Sequence, residues 1–211
     1  MREDIVNLFK WNNKELKKDE FWALKGINMT VHRGECIGLY GPNGAGKSTI
    51  LKLIASVTYP TKGEVKVTGR VAPLIEVGAG FHMDLTGREN IFINGAILGM
   101  SIKEIRSKLN DIIEFSELGQ FINIPVKKYS SGMYLKLGFS VAVHSFADIL
   151  LIDEILAVGD EDFQRKCISK VMELKRSGRT IIMVSHNKDM IKKITDDLFI
   201  VKSGNLLKGN D

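Results

Sequence analysis

Nine consecutive residues, Gly41-Pro42-Asn43-Gly44-Ala45-Gly46-Lys47-Ser48-Thr49, set three glycines, a lysine and two hydroxyls in the pattern G-x-x-x-x-G-K-[ST]. Glycine, lacking a Cβ, lets backbone N–H groups close on phosphate oxygens, and a helix starting here adds partial positive charge. Lys47 can then reach the terminal phosphates, and the Ser48 hydroxyl suits Mg²⁺. The ligand that fits is ATP with Mg²⁺. A second group could act on it. In Ile149-Leu150-Leu151-Ile152-Asp153-Glu154 two acids follow four apolar residues. A buried strand ending there would put Asp153 beside the metal and Glu154 before the attacking water. The implied chemistry is ATP hydrolysis that drives a partner and does not modify a substrate.

Such residues need rigid elements to hold them. The runs Cys36–Tyr40, Ile149–Ile152 and Thr180–Val184 are short and almost wholly apolar, which predicts strands buried on both faces in a parallel α/β core. Ile50, Leu51, Leu53 and Ile54 predict a helix directly after the glycine-rich loop. From Gly87 to Ala147 the spacing is helical, with Ile102, Ile105, Leu109, Ile112 and Ile113 on one face, and predicts a helical lobe. Ala23–Val31 and Glu64–Leu74 alternate, broken by Gly34, Gly63 and Gly69, and predict an antiparallel flank.

The chain has 211 residues, 44% of them hydrophobic, enough for the core of one large domain. No window approaches the roughly 18 apolar residues of a membrane span, and Met1-Arg2-Glu3-Asp4 opens no apolar leader, so a cytosolic chain is expected. Cys36 and Cys167 fall in apolar patterns without a CxxC and read as reduced packing residues. The net charge of +5 is spread over mixed faces such as Lys103-Glu104-Ile105-Arg106, and the basic run Lys14 to Lys18 meets Asp19 and Glu20 at once. A nucleic-acid partner is not expected. His32, His82 and His144 read as ordinary surface or core residues.

The order of Gly41–Thr49, Tyr129-Ser130-Ser131-Gly132-Met133, Asp153-Glu154 and Ser185-His186 resembles the nucleotide-binding domains of ABC transporters over nearly the whole chain. The resemblance implies an α/β P-loop NTPase with a RecA-like, mostly parallel sheet core, an antiparallel β flank and a helical lobe. It implies one domain over 1–211, with core and flank in 1–86 and 148–211 and the lobe in 87–147. In that family the segment matching Tyr129–Met133 starts a helix that closes over ATP held by the partner subunit. Ser130 and the backbone near Gly132 are thereby implied to meet the γ-phosphate across a head-to-tail dimer. His186 matches the residue that senses that phosphate, and Asp160, in Ala157-Val158-Gly159-Asp160, the aspartate that links the two sites.

Two positions depart from the family pattern: Ser131 replaces a glycine, and Glu76 stands where glutamine is usual, from where it could approach Mg²⁺ and water. With Leu85-Thr86-Gly87-Arg88-Glu89-Asn90-Ile91, the pattern is similar to ATPase subunits of polysaccharide exporters, those for O-antigen and teichoic acid. This implies an ABC-2-type membrane permease as partner, whose cytoplasmic helix enters the cleft around Glu76 to Asn94, and a cytoplasmic place on the inner face of the membrane. The rivals are an exporter of drugs or other lipid-linked cargo, a soluble ABC-type ATPase acting on ribosomes or DNA ends, and a scaffold that no longer hydrolyses. The second usually carries two such domains or a coiled-coil insertion, and Glu154 and His186 speak against the third. At the front, either Val6–Trp11 is a shortened first strand with Trp11 stacking on adenine, or the strand is absent. Phe21 and Trp22 are the other stacking candidates, with core packing the commoner fate of aromatics. At the other end, a chain stopping at Asp211 is expected to lack a carbohydrate-binding extension.

Overall fold

The computed structural model describes residues 4–9 as backbone, and 19–75, 78, 80–153 and 159–209 in full. Strands β1 (Asp4–Phe9), β2 (Met29–His32) and β3 (Cys36–Tyr40) precede helix α1 (Lys47–Ile54), then β4 (Glu64–Val67) and β5 (Val71–Leu74). Helices α2 (Gly87–Ile97), α3 (Ile102–Ser116) and α4 (Ser131–Val143) follow, with two short 3₁₀ turns before α4. The chain closes through β6 (Ile149–Asp153), α5 (Glu161–Arg176), β7 (Thr180–Ser185), α6 (Lys188–Ile194), β8 (Asp197–Lys202) and β9 (Asn205–Lys208).

Six strands form the main sheet in the order β5-β6-β7-β3-β8-β9. The first five run parallel and β9 pairs antiparallel at the edge. Parallel strands need crossovers, supplied by α5 between the neighbours β6 and β7 and by α6 between β7 and β8, which lie on either side of β3. Successive strand residues point to opposite faces, so each strand feeds two cores. Ile149 and Leu151 pack with Ile37, Leu39 and the α1 residues Ile50, Leu51 and Ile54, whereas Leu150 and Ile152 pack with Met183, Leu137, Phe139 and Phe163. This double burial explains the unbroken apolar runs.

The antiparallel flank is real but smaller than expected. β1 pairs with both β2 and β4, so a front strand exists and the alternative that it is missing is overturned. The expected strand over Ala23–Val31 is formed only from Met29 onward. Val71–Leu74 does not join the flank; it lies parallel to β6 in the main sheet. Alternation in β5 reflects one strand edge and two unequal faces and does not report strand direction. In α3 the predicted face holds for Ile105 and Ile112, both wholly buried, while Ile102 in the first turn remains exposed.

Helix starts follow from local chemistry. Thr86 with Glu89 and Ser101 with Glu104 build reciprocal capping boxes at α2 and α3. Ser130 and Asp160 cap α4 and α5 by accepting from the N–H groups of Met133 and Phe163. No helix among the described residues is long and apolar enough to cross a membrane.

Candidate nucleotide site

The glycine-rich loop leaves the end of β3, in the middle of the main sheet. A Cβ on Gly41 would lie 2.1 Å from the Val201 carbonyl of β8, so only glycine lets the chain turn off the sheet here. Gly46 caps α1 with φ 107 and offers no side-chain acceptor, and no acid stands in the first turn. The free N–H groups of that turn therefore face outward with the positive end of the helix dipole.

Lys47 is only 5% exposed, and its Nζ donates to the carbonyls of Gly41 at 2.8 Å and Pro42 at 3.0 Å. The ammonium thus lies along the inside of the loop, bound to neutral acceptors that a more highly charged phosphate oxygen would outcompete. The Ser48 hydroxyl donates to Oδ2 of Asp153 at 2.9 Å, which joins the loop to the end of β6. A hydroxyl and a carboxylate oxygen converging in this way are hard donors suited to Mg²⁺, which takes one or two protein oxygens and completes its shell with phosphates and water. The residues present fit the ion.

A cavity of about 820 Å³ opens over these groups, lined by the loop, Asp153, Phe21, Trp22 and the turn Ser203-Gly204. Phe21 is 84% exposed and Trp22 half-buried, which removes core packing as the reason for Phe21. Both rings border the cavity, whereas Trp11 lies outside the described residues. The Ser203-Gly204 turn had no place in the sequence reading. Both residues have positive φ, the signature of a tight hairpin, and the Gly204 N–H donates to the Ala45 carbonyl while the Lys25 N–H donates to the Gly204 carbonyl. A Ser-Gly pair between two alternating strands signals the hairpin in sequence, but nothing local places it under the phosphate loop.

His186, just beyond β7, is exposed and borders a second cleft with Tyr40, Gly41, Pro42 and Asn43, the last of which also lines the larger cavity. Ser130 and Gly132 are not brought to the phosphate loop. Ser130 Oγ accepts from the Met133 N–H at 3.2 Å at the exposed start of α4, and a Cβ on Gly132 would meet only that Oγ, at 3.9 Å. Glu154 and Glu76 lie outside the described residues, as do Ala157 and Val158. Asp160 is described: its carboxyl is held down to about 2 by the Phe163 N–H and by Lys136. Burial pushes both cysteine thiols up to about 12, in keeping with inert packing residues.

The family model described as ABC transporter matches residues 24–157. The O-antigen export system ATP-binding protein RfbB of Myxococcus xanthus is 53% identical over 174 residues, covering 82% of this chain and 40% of that protein. Its namesake in Klebsiella pneumoniae is 51% identical over 90% of this chain and 78% of its own length. The teichoic acids export ATP-binding protein TagH of Enterococcus faecalis is 50% identical over 90% of this chain and 42% of its own. The chain thus spans less than half of two of these three relatives. Among solved structures, an ATP-binding subunit of an ABC transporter superposes with a TM-score of 0.83 at 23% identity, covering 98% of this chain and 90% of that one. A dimeric ATP-binding cassette in a post-hydrolysis state with ADP and Pi gives 0.78 at 21%, covering 100% and 98%. These two likenesses bear on the fold.

Proposed function

The chain belongs to the ABC transporter family, and from that premise we propose that it is the ATP-binding and ATP-hydrolysing subunit of an exporter of polysaccharide or polyol-phosphate polymers. The observation that carries the reading is the 2.9 Å contact between Ser48 and Asp153 at the foot of the cavity, beside a buried Lys47. Phosphate oxygens settle on backbone N–H groups of the loop at Gly44 and Gly46–Thr49, and Lys47 exchanges two carbonyls for them. Ser48 and Asp153, with Glu76, would hold Mg²⁺, which when bound would neutralise phosphate charge. Glu154 accepts a proton from the attacking water, and His186, beside Tyr40–Asn43, faces the γ-phosphate. Phe21 or Trp22 stacks on the base.

Ser130 and Gly132 act on the ATP of a second copy. Neither residue lines the cavity of its own chain, and the start of α4 is exposed, which supports a head-to-tail pair in which each ATP is shared. We further infer one ATPase domain, with core and flank in 1–86 and 148–211 and the helical lobe in 87–147. It sits on the cytoplasmic face of the membrane beneath an ABC-2-type permease. A small apolar cavity of about 100 Å³ between β5 and the helices, lined by Val57, Leu74, Ile97 and Gly138, suits one side chain of a helix of that permease.

The test is Glu154→Gln, which keeps the shape of the side chain and removes its proton-accepting charge. Turnover should fall at least about 100-fold, within the range given by loss of a general base. Size-exclusion chromatography with light scattering should show a dimer only with ATP. Normal hydrolysis by this variant would remove Glu154 from its role, and a dead but monomeric variant would remove the shared site.

A further inference from the structure

Three stretches of chain border the nucleotide cavity on the side away from Asp153: Phe21 to Ala23, the phosphate loop, and the turn Ser203-Gly204 between β8 and β9. They are joined backbone to backbone. The Gly204 N–H donates to the Ala45 carbonyl at 3.2 Å, and the Gly204 carbonyl accepts from the Lys25 N–H at 2.7 Å. A Cβ on Gly204 would stand 2.9 Å from the Ala23 carbonyl oxygen, so that joint admits no side chain. The phosphate loop closes on the same segment, since a Cβ on Gly46 would stand 3.0 Å from that oxygen and 2.6 Å from Leu24 Cδ2. The turn is thus fixed to the loop on one side and, on the other, to the segment that carries Phe21 and Trp22.

Ser203 holds φ at 48, in the left-handed region that a side chain disfavours and that glycine would occupy with less strain. Backbone strain of this kind persists where the surroundings or a function require it. The Asn205 amide donates to the Ser203 carbonyl at 3.1 Å, while no hydrogen bond among the described residues takes up the Ser203 hydroxyl. The residue is exposed on the cavity wall. In a nucleotide the sugar lies between base and phosphates. With the base on Phe21 or Trp22 and the phosphates on the loop, the ribose passes over the turn that bridges the two.

We propose that Ser203 is a specificity-determining residue for the sugar: its hydroxyl exchanges a hydrogen bond with a ribose hydroxyl of the bound nucleotide, so that the site prefers ribonucleotides to their deoxy counterparts. This rests on the reading of the cavity as an ATP site. A serine hydroxyl both donates and accepts, and so matches either free hydroxyl of the ribose. Base stacking and the phosphate cradle are the same for both kinds of sugar and do not tell them apart. One hydrogen bond at a wet surface changes affinity by about 2- to 10-fold.

The experiment is calorimetry on the full chain with Mg²⁺, comparing ADP with 2′-deoxyADP and 3′-deoxyADP. ADP carries the same ribose as ATP, is not turned over and lacks the γ-phosphate that a second copy would share. At least one deoxy analogue should bind about 2- to 10-fold more weakly than ADP. Ser203→Ala keeps a Cβ at the left-handed φ and Ser203→Gly relaxes it, yet both should weaken ADP by that same factor and bind ADP and that analogue alike. If Ser203→Ala does not melt cooperatively, Ser203→Gly carries the test, since glycine is at home at that φ. A wild type that binds all three nucleotides equally overturns the sugar role and leaves the ATP site standing. So does a ribose preference that survives in Ser203→Gly. Failure to bind either ADP or ATP overturns the site and the sugar role together.

Discussion

The Tyr134 hydroxyl donates to the Gly78 carbonyl at 2.7 Å, and a Cβ on Gly78 would stand 2.2 Å from the same phenol ring. Phe81 meets that ring edge-on at 4.9 Å. A residue in the second turn of α4 thus clasps the stretch that follows Glu76. Tyr134→Phe should lose about 1 kcal/mol, the usual net value of one such bond, while Gly78→Ala should lose more, because φ +80 and the ring both oppose a side chain. Hydrogen exchange at residues 78–81 should accelerate in both variants; unchanged protection would show that the clasp holds nothing.

Lys47→Ala removes the only side-chain cation of the phosphate loop. ATP affinity should fall by about 10-fold or more, since charge-assisted bonds are worth about 1.5–3 kcal/mol each. Calorimetry with ATP reads this directly, and near wild-type affinity would disqualify the loop.

Asn90 is wholly buried in α2, where its amide donates to the carbonyls of His82, Leu85 and Thr86 and its oxygen accepts from the His82 N–H. It holds the turn before the helix in one shape. Asn90→Ala strands those groups and should cost about 2–4 kcal/mol, lowering the melting temperature by roughly 4–16 °C. A loss under about 1 °C would mean that the turn is held by other contacts.

The Glu104 carboxyl is held down from 4.5 to about 2 by the Ser101 N–H and hydroxyl, with Arg70 beside it. A folded-state value below the unfolded one means stability that is complete above about 4.5 and lost as the pH falls through about 2. Glu104→Gln keeps a capping side chain without the charge. It should melt below the wild type at neutral pH, and the gap should close as the pH is lowered through that window. A gap independent of pH would place the effect elsewhere.

What could be read from sequence divides along a physical line. The phosphate loop and the three buried strands were legible because each is fixed by a local rule: glycine where backbone must approach, apolar runs where both faces are covered. The side of the sheet on which Val71–Leu74 pairs was not, since pairing depends on residues 149–152, far along the chain. Nor was the role of Ser203-Gly204, whose turn is local but whose contact with Ala45 is tertiary. The ion pairs of Lys136 hide for a related reason: a lysine on a helix reads as a solvated charge until Glu117 and Asp160 are brought to it from either side.

The place of β3 in its sheet also sets an order in time. Both strands that flank it, β7 and β8, lie beyond residue 179, and the carbonyl that shapes the turn at Gly41 belongs to Val201. On a ribosome adding about 5–20 residues each second, the nucleotide loop emerges roughly 7–30 s before its neighbours exist. During that interval the nascent chain carries the apolar strand Cys36–Tyr40 with both edges bare, exposed to pairing with the wrong strand. Stalled or shortened chains ending before residue 180 should therefore neither hold ATP nor stay dispersed, and fluorescent ATP binding to ribosome-bound chains of increasing length should switch on only after Gly204 has cleared the exit tunnel.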